Sequence, residues 1–117
     1  MKSKGMIDDW HLCPRFHRAV ELIGRRWSGA VIRVLLEGPH RFNEILAQIP
    51  GISDRLLTER LRELEAEAIV VRRVEAGSPV RVIYELTEAG TALQASLDAL
   101  SDWAEAWIKL PAEQLSA

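Results

Sequence analysis

Apolar positions recur along this chain with two periods, and their order predicts its elements. From Pro14 onward, Phe16, Ala19, Val20 and Ile23 fall at helical spacing, and proline suits the first turn of such a helix. The pattern ends near Gly24. Val31, Val34 and Leu35 predict a second helix over 28–36, stopped by Gly38-Pro39. A short third helix follows Arg41-Phe42, with Asn43 near its cap and Ile45, Leu46 and Ile49 apolar. Pro50-Gly51 then breaks the chain. Ser53 stands where an N-cap belongs, and Leu57, Leu61 and Leu64 recur at i, i+4 and i+7. Arg55, Thr58, Glu59 and Arg62 take the opposite face of that fourth helix.

Beyond it the period falls to two. Residues 69–75 read as a strand, 76–79 (Ala-Gly-Ser-Pro) as a turn and 80–86 as a second strand. Alternation places Val82, Tyr84 and Leu86 on one face and Arg81, Ile83 and Glu85 on the other. The last element is predicted as one long helix over 88–110, capped by Thr87. Its stripe is Leu93, Leu97, Leu100, Ala104 and Trp107, widened by Trp103 and Ile108. Helix, tight turn, helix and an arginine-bearing hairpin follow one another in the order of a winged helix-turn-helix. The predicted fold class is mainly α with a small β-hairpin wing (α+β), in one domain spanning 1–117 with an N-terminal arm at 1–12. So small a body offers little surface to bury the final stripe. Dimerisation through the terminal helices is the expected cover, and folding back onto the same chain is the alternative.

The formal charge of -2 gives no sign of a nucleic-acid binder, but the charge is unevenly placed. Residues 1–86 hold 14 Lys+Arg against 12 Asp+Glu, whereas 87–117 hold Lys109 against five acids. An acidic tail masks a mildly basic body, and phosphate binding depends on local surface. No apolar run approaches the ~20 residues of a membrane span, so no membrane partner is expected. The polar start, Met1 to Gly5, leads into no apolar stretch, and a single cysteine excludes an internal disulfide. A cytoplasmic protein is the simplest expectation.

The chemistry concentrates on the fourth helix and the wing. Arg55 and Arg62 project together, and arginine can donate two parallel bonds to guanine. Ser53 and Thr58 suit phosphate or base contacts, though Ser53 also suits a plain cap. Glu59 would accept from cytosine or orient an arginine. Arg41, Arg73, Ser78 and Arg81 are candidates for positioning on the phosphate backbone. The bland alternative is a solvated helix face with ion pairs such as Glu59 with Arg55 or Arg62. A winged-helix module that binds protein and not DNA is the competing function, and it would favour apolar residues on this face. No phosphate loop or nucleophile–base signature appears, so no catalysis is expected. His11, His17 and His40 lack metal-ligand spacing with Cys13, and neither a metal nor a cofactor is implied.

Several short segments, in order, resemble the HxlR family of bacterial transcriptional regulators. They are Cys13-Pro14, Gly24-Arg25-Arg26-Trp27, Arg41-Phe42-Asn43-Glu44-Ile45, Pro50-Gly51-Ile52-Ser53, Leu61-Arg62-Glu63-Leu64-Glu65, Arg81-Val82-Ile83-Tyr84 and Leu86-Thr87-Glu88-Ala89-Gly90. The resemblance covers about residues 13–108. It implies a homodimer that binds a double-stranded DNA operator, with dimer contacts from the first and last helices. Two positions depart from the family pattern. Ala68 replaces a glycine that would ease a left-handed helix end, so a slightly different end is expected. Ile83 replaces a glutamate before the tyrosine.

Cys13 precedes the first helix, where the helix dipole favours a thiolate, and Arg15, Arg18, His11 and His17 are close in sequence. It is a candidate sensor of oxidants or electrophiles, and the resemblance implies such a role for a cysteine at this place. A small, half-buried hydrophobe is the other reading. Trp10, Trp27, Trp103 and Trp107 suit either an aromatic pocket for a small-molecule effector or ordinary packing.

Overall fold

The computed structural model describes residues 13–115. The N-terminal arm at 1–12, with Trp10 and His11, lies outside them. Helices α1 (Pro14–Ile23), α2 (Ser28–Leu36), α3 (Phe42–Gln48) and α4 (Asp54–Ala66) precede the wing. A two-residue strand β1 (His40–Arg41) lies between α2 and α3, and β2 (Val70–Glu75) and β3 (Arg81–Leu86) form the hairpin. Three helices follow: α5 (Glu88–Thr91), α6 (Gln94–Trp107) and α7 (Ala112–Leu115). The sheet order is β1-β3-β2, antiparallel throughout. Strand β1 was not foreseen; His40 pairs with Tyr84 and Arg41 with Ile83, so β3 is the central strand.

The core collects the inward residues of α2, α3, α4 and β2. Val31, Ile32, Ile45, Leu57, Leu61, Leu64 and Val70 are fully or almost fully buried. Each such aliphatic side chain stabilises the fold by ~1.5–3 kcal/mol relative to exposure. Helix α2 is the centre of this core; Arg33 is its sole charged residue. Trp27 opens α2 in a left-handed conformation (φ 78°), and the Arg26 guanidinium stands 4.8 Å from its ring centroid. The turn between α3 and α4 closes on this indole. Gly51 has φ 95°, and a Cβ there would come 3.3 Å from the Trp27 ring. Glycine therefore meets two demands at once, a positive φ and a close approach.

Three departures from the sequence reading have physical causes. The helix expected over 88–110 is divided. Its first part, α5, is held by Thr87, whose Oγ1 accepts from the Gly90 N–H (3.2 Å) and donates to the Ala68 carbonyl (2.6 Å). Gly90 lies so close to the preceding turn that a Cβ would approach the Ile69 carbonyl oxygen to 2.4 Å. The backbone then tightens: Leu93 N–H bonds to the Gly90 carbonyl, three residues back, before α6 begins. Second, the long apolar stripe divides in use. Leu97 is buried and Leu93 packs against the core, but Leu100, Trp103, Trp107 and Ile108 are at least half exposed. On α1, Phe16 and Val20 are exposed too, while Leu22 and Ile23 face the core. Third, α4 keeps its left-handed end without glycine. Ala68 has φ 59°; its N–H bonds to the Glu65 carbonyl and the Ile69 N–H to the Leu64 carbonyl, the two bonds of a Schellman end.

Candidate nucleic-acid interface

Helix α4 is fixed to the body by three leucines and one arginine. Arg60 falls between Leu57 and Leu61 on the helix and is 6 % exposed. Its Nε donates to the Arg26 carbonyl (2.8 Å) and its Nη1 to both Glu63 oxygens (3.2 and 3.3 Å). Arg25 reaches the same carboxylate at 3.3 Å. This arginine thus fastens the middle of α4 to the turn between α1 and α2. A buried guanidinium needs such partners, since an unpaired one is strongly disfavoured. Sequence reading left Arg60 unassigned. Its place four residues before Leu64, on the apolar stripe, was the available signal.

With the inner face held in this way, the outer face of α4 is open. Arg55 is 88 % exposed in its side chain, and its Nε donates to Glu59 at 3.2 Å. Glu59 therefore orients an arginine, one of the two roles open to it from sequence. Arg62 is exposed and makes no ion pair among the described residues. Thr58 donates its hydroxyl to the Asp54 carbonyl (2.9 Å). Ser53 is the N-cap: its Oγ accepts from the Leu56 N–H at 3.1 Å.

The wing places its arginines unequally. In the register Arg73 lies opposite Ile83 and Glu75 opposite Arg81, so these share the outward face with Glu85. Arg73 bonds to Glu85 and, at 3.1 Å, to Glu75. The hydrogen bond to Glu85, reinforced by Glu75, raises its pKa above the ordinary arginine value. Arg73 is a sequence candidate whose cation is already neutralised. Arg81 is exposed and makes no ion pair among the described residues. It lines a cleft of about 340 Å³ between the wing and α3, together with Arg41, Asn43 and Pro79. Arg41 and Arg81, far apart in sequence, are thereby brought to one cleft. The Arg41 backbone N–H donates to Glu44 Oε1 (2.8 Å), which caps α3 and holds the Glu44 carboxyl below its usual range. Ser78 is exposed at the wing tip. Arg72 is exposed on β2, also without an ion partner among the described residues, and sequence reading passed it over for Arg73.

Cys13 occupies the N-cap position of α1, half-buried and free. Its carbonyl accepts from the His17 N–H at 2.9 Å. At helical spacing Cys13, Phe16 and Val20 share one side of α1, the side whose apolar residues are exposed. Trp27 belongs to the core, whereas Trp103 and Trp107 are on the exposed part of α6, so these do not meet in one aromatic pocket.

A family model described as HxlR-like helix-turn-helix matches residues 22–111, more than half of the chain. The chain belongs to the HxlR family of helix-turn-helix transcriptional regulators. The match begins within α1, so Cys13 lies before it. Among HxlR-like relatives, the HTH-type transcriptional regulator YodB of Bacillus subtilis (strain 168) is 51% identical over 94 residues, covering 80% of this chain and 84% of YodB. The structure of reduced YodB superimposes with a TM-score of 0.79 at 49% identity, covering 84% of this chain and 96% of that one. Quinone-bound YodB gives 0.73 at 48% identity, covering 82% and 100%. The winged-helix reading and its three-stranded sheet therefore hold for an HxlR regulator.

Proposed function

We propose that this chain acts as a homodimer on a pseudo-palindromic DNA operator. In this reading α4 enters the major groove, and the cleft between the wing and α3 follows the phosphate backbone. The observation that carries the reading is the outer face of α4. Arg55, Thr58 and Arg62 form a polar, cationic surface on a helix whose other side is locked into the core. A protein-docking module would present apolar residues there. Arg62 and Arg55 would read bases, and Arg41, Arg81 and Ser78 would touch phosphate. Thr58 is an additional contact, while Ser53 and Arg73 serve first as cap and as partner to Glu85. The dimer reading is supported by exposed Leu100, Trp103, Trp107 and Ile108 on α6 with Phe16 and Val20 on α1. Among the described residues no helix is long and apolar enough to cross a membrane, and a DNA partner fits the cytoplasm.

Oxidants or electrophiles act, in this reading, through Cys13. It heads the exposed apolar side of α1, so an adduct or an intermolecular disulfide there would act on the dimer contact. Structures of a relative in reduced and quinone-bound forms support a response to oxidants or electrophiles.

Selection from a randomised duplex pool tests the DNA reading, followed by titration of Arg62→Ala on selected and random DNA. Loss confined to the selected sequence is expected; equal loss on both would move Arg62 to a phosphate contact. Truncation after Gly90 should give a monomer or an aggregate by light scattering, and a soluble dimer would end the dimer reading. Affinity of wild type and Cys13→Ser before and after diamide or quinone treatment tests the thiol. An unchanged wild-type affinity would leave Cys13 a structural residue.

A further inference from the structure

Helix α6 has few attachments to the body that carries α4. Leu97 is its sole buried residue. The helical ladder does not run straight into it from α5, because the backbone tightens at Leu93. One side chain of α2 adds several polar contacts to it. Arg33, the single charge on α2, donates from Nη1 to Asp98 Oδ1 (2.8 Å), and from Nη2 to Ser101 Oγ (2.5 Å) and the Leu97 carbonyl (3.5 Å). These acceptors span one turn of α6. A buried leucine resists separation but not rotation, because apolar contact has no preferred direction. A planar guanidinium on several acceptors does fix direction.

We propose that Arg33 is a positioning residue, setting the angle at which the dimerising helix leaves the DNA-reading body and hence the separation of the two recognition helices. This rests on the homodimer reading above. The lever is long enough to matter. From Leu97 to Trp107 is ~15 Å along the helix, so a swing of roughly 10° moves Trp107 by about 2.6 Å. That approaches one base-pair step of DNA, ~3.4 Å. Two such hinges act in a dimer, one in each protomer. Loss of the clamp therefore spreads the half-site spacings that one dimer can span.

The test uses the full chain and two readouts. In a Cys13→Ser, Glu65→Cys background, a spin label on exposed α4 reports the distance between the protomers without DNA. A narrow distribution is expected with Arg33 and a broadened one with Arg33→Ala. Arg33→Lys, which keeps the charge but loses the fork, should fall between them. The exchanged pair Arg33→Asp with Asp98→Arg should narrow the distribution again. The second readout is affinity for the selected operator with its spacer changed by one or two base pairs, beside a single half-site. Arg33→Ala should reduce the preference for the native spacer by about two- to fivefold, as suits an exposed pair, with half-site affinity and dimer fraction unchanged. An unchanged distance distribution and spacing profile would overturn the proposal. So would a uniform loss on every duplex, which assigns Arg33 to stability or phosphate contact. A wild-type chain with a defined distance but no selected sequence would refute the DNA reading and leave the clamp standing on the distances. No intermolecular distance at all would refute the dimer and the clamp together.

Discussion

Replacing Ala68 by glycine should stabilise this protein, although it removes a methyl group and adds no contact. Ala68 follows α4 at φ 59°, a conformation that costs a non-glycine L-residue ~1–2 kcal/mol. Its side chain is exposed, so glycine forfeits no packing. Glycine does widen the unfolded ensemble, at a cost of ~0.4–1 kcal/mol. The difference leaves a net gain of about 0.5–1 kcal/mol. Unfolding entropy is ~2.1 cal/mol/K per residue, or ~0.25 kcal/mol/K for a chain of 117 residues. The melting temperature should therefore rise by about 2–4 °C. Urea and thermal unfolding, read by tryptophan emission and far-UV dichroism at matched protomer concentration, measure it, since a dimer's midpoint depends on concentration. Ala68→Val is the opposing control and should destabilise, because a branched side chain tolerates this region less well. A neutral or destabilising Ala68→Gly would mean that the turn holding Thr87 and Gly90 compensates the strain, and that the local argument fails.

Gly90→Ala should destabilise by ~2 kcal/mol or more, since its Cβ meets the backbone carbonyl oxygen of Ile69, which cannot swing away; a two-state melt within experimental error of wild type would refute it. Ser53→Ala should cost ~1 kcal/mol of stability through the lost cap, with Ser53→Asp largely restoring it, whereas a hydroxyl acting on DNA alone would leave the melt unchanged. Arg60→Ala should cost ~1–3 kcal/mol, because the Arg26 carbonyl is left unsatisfied; an unaltered denaturation midpoint would show water taking that place. The Glu44 carboxyl, depressed by the Arg41 N–H, contributes stability above its unfolded pKa that is lost as pH falls through the folded one, so Glu44→Gln should flatten the acid limb of a stability–pH profile without moving the alkaline limb.

The elements with strong periodicity were legible before the structure. Helices α1, α2 and α4 and both hairpin strands fall within a residue or two of their expected bounds, because Leu57, Leu61, Leu64 and the alternation around Tyr84 leave little choice of face. Strand β1 carries no such signal: two residues have no period, and their pairing is supplied by β3. The break between α5 and α6 is hidden because Leu93 and Leu97 continue the stripe across it. At the candidate interface, sequence identified the open face of α4 and Glu59 as a partner for its arginines, but not the ion pairs of the wing. Arg72 and Arg73 are neighbours of one type, and only the register shows Arg73 beside Glu85. The partners of Arg33 and Arg60 carry no sequence signal, since each acts on a carbonyl or carboxylate remote in the chain, although the place of Arg60 on the apolar stripe marks it as buried.

The pairing of Arg73 with Glu85 and Glu75 has a consequence for counterions. A cation neutralised in the free protein displaces few sodium ions from DNA, because binding must first break its existing pair. On α4, the wing and the α3 cleft, Arg41, Arg55 and Arg73 already have carboxylate partners, whereas Arg62, Arg72 and Arg81 have none among the described residues. In the proposed dimer, Arg62 and Arg81 alone would give a slope of about -4 for log K against log salt, and with Arg41 and Arg55 unpaired as well it would be about -7. In that reading the carboxylates would make DNA association tolerant of changes in ionic strength and leave more of the discrimination to groove contacts.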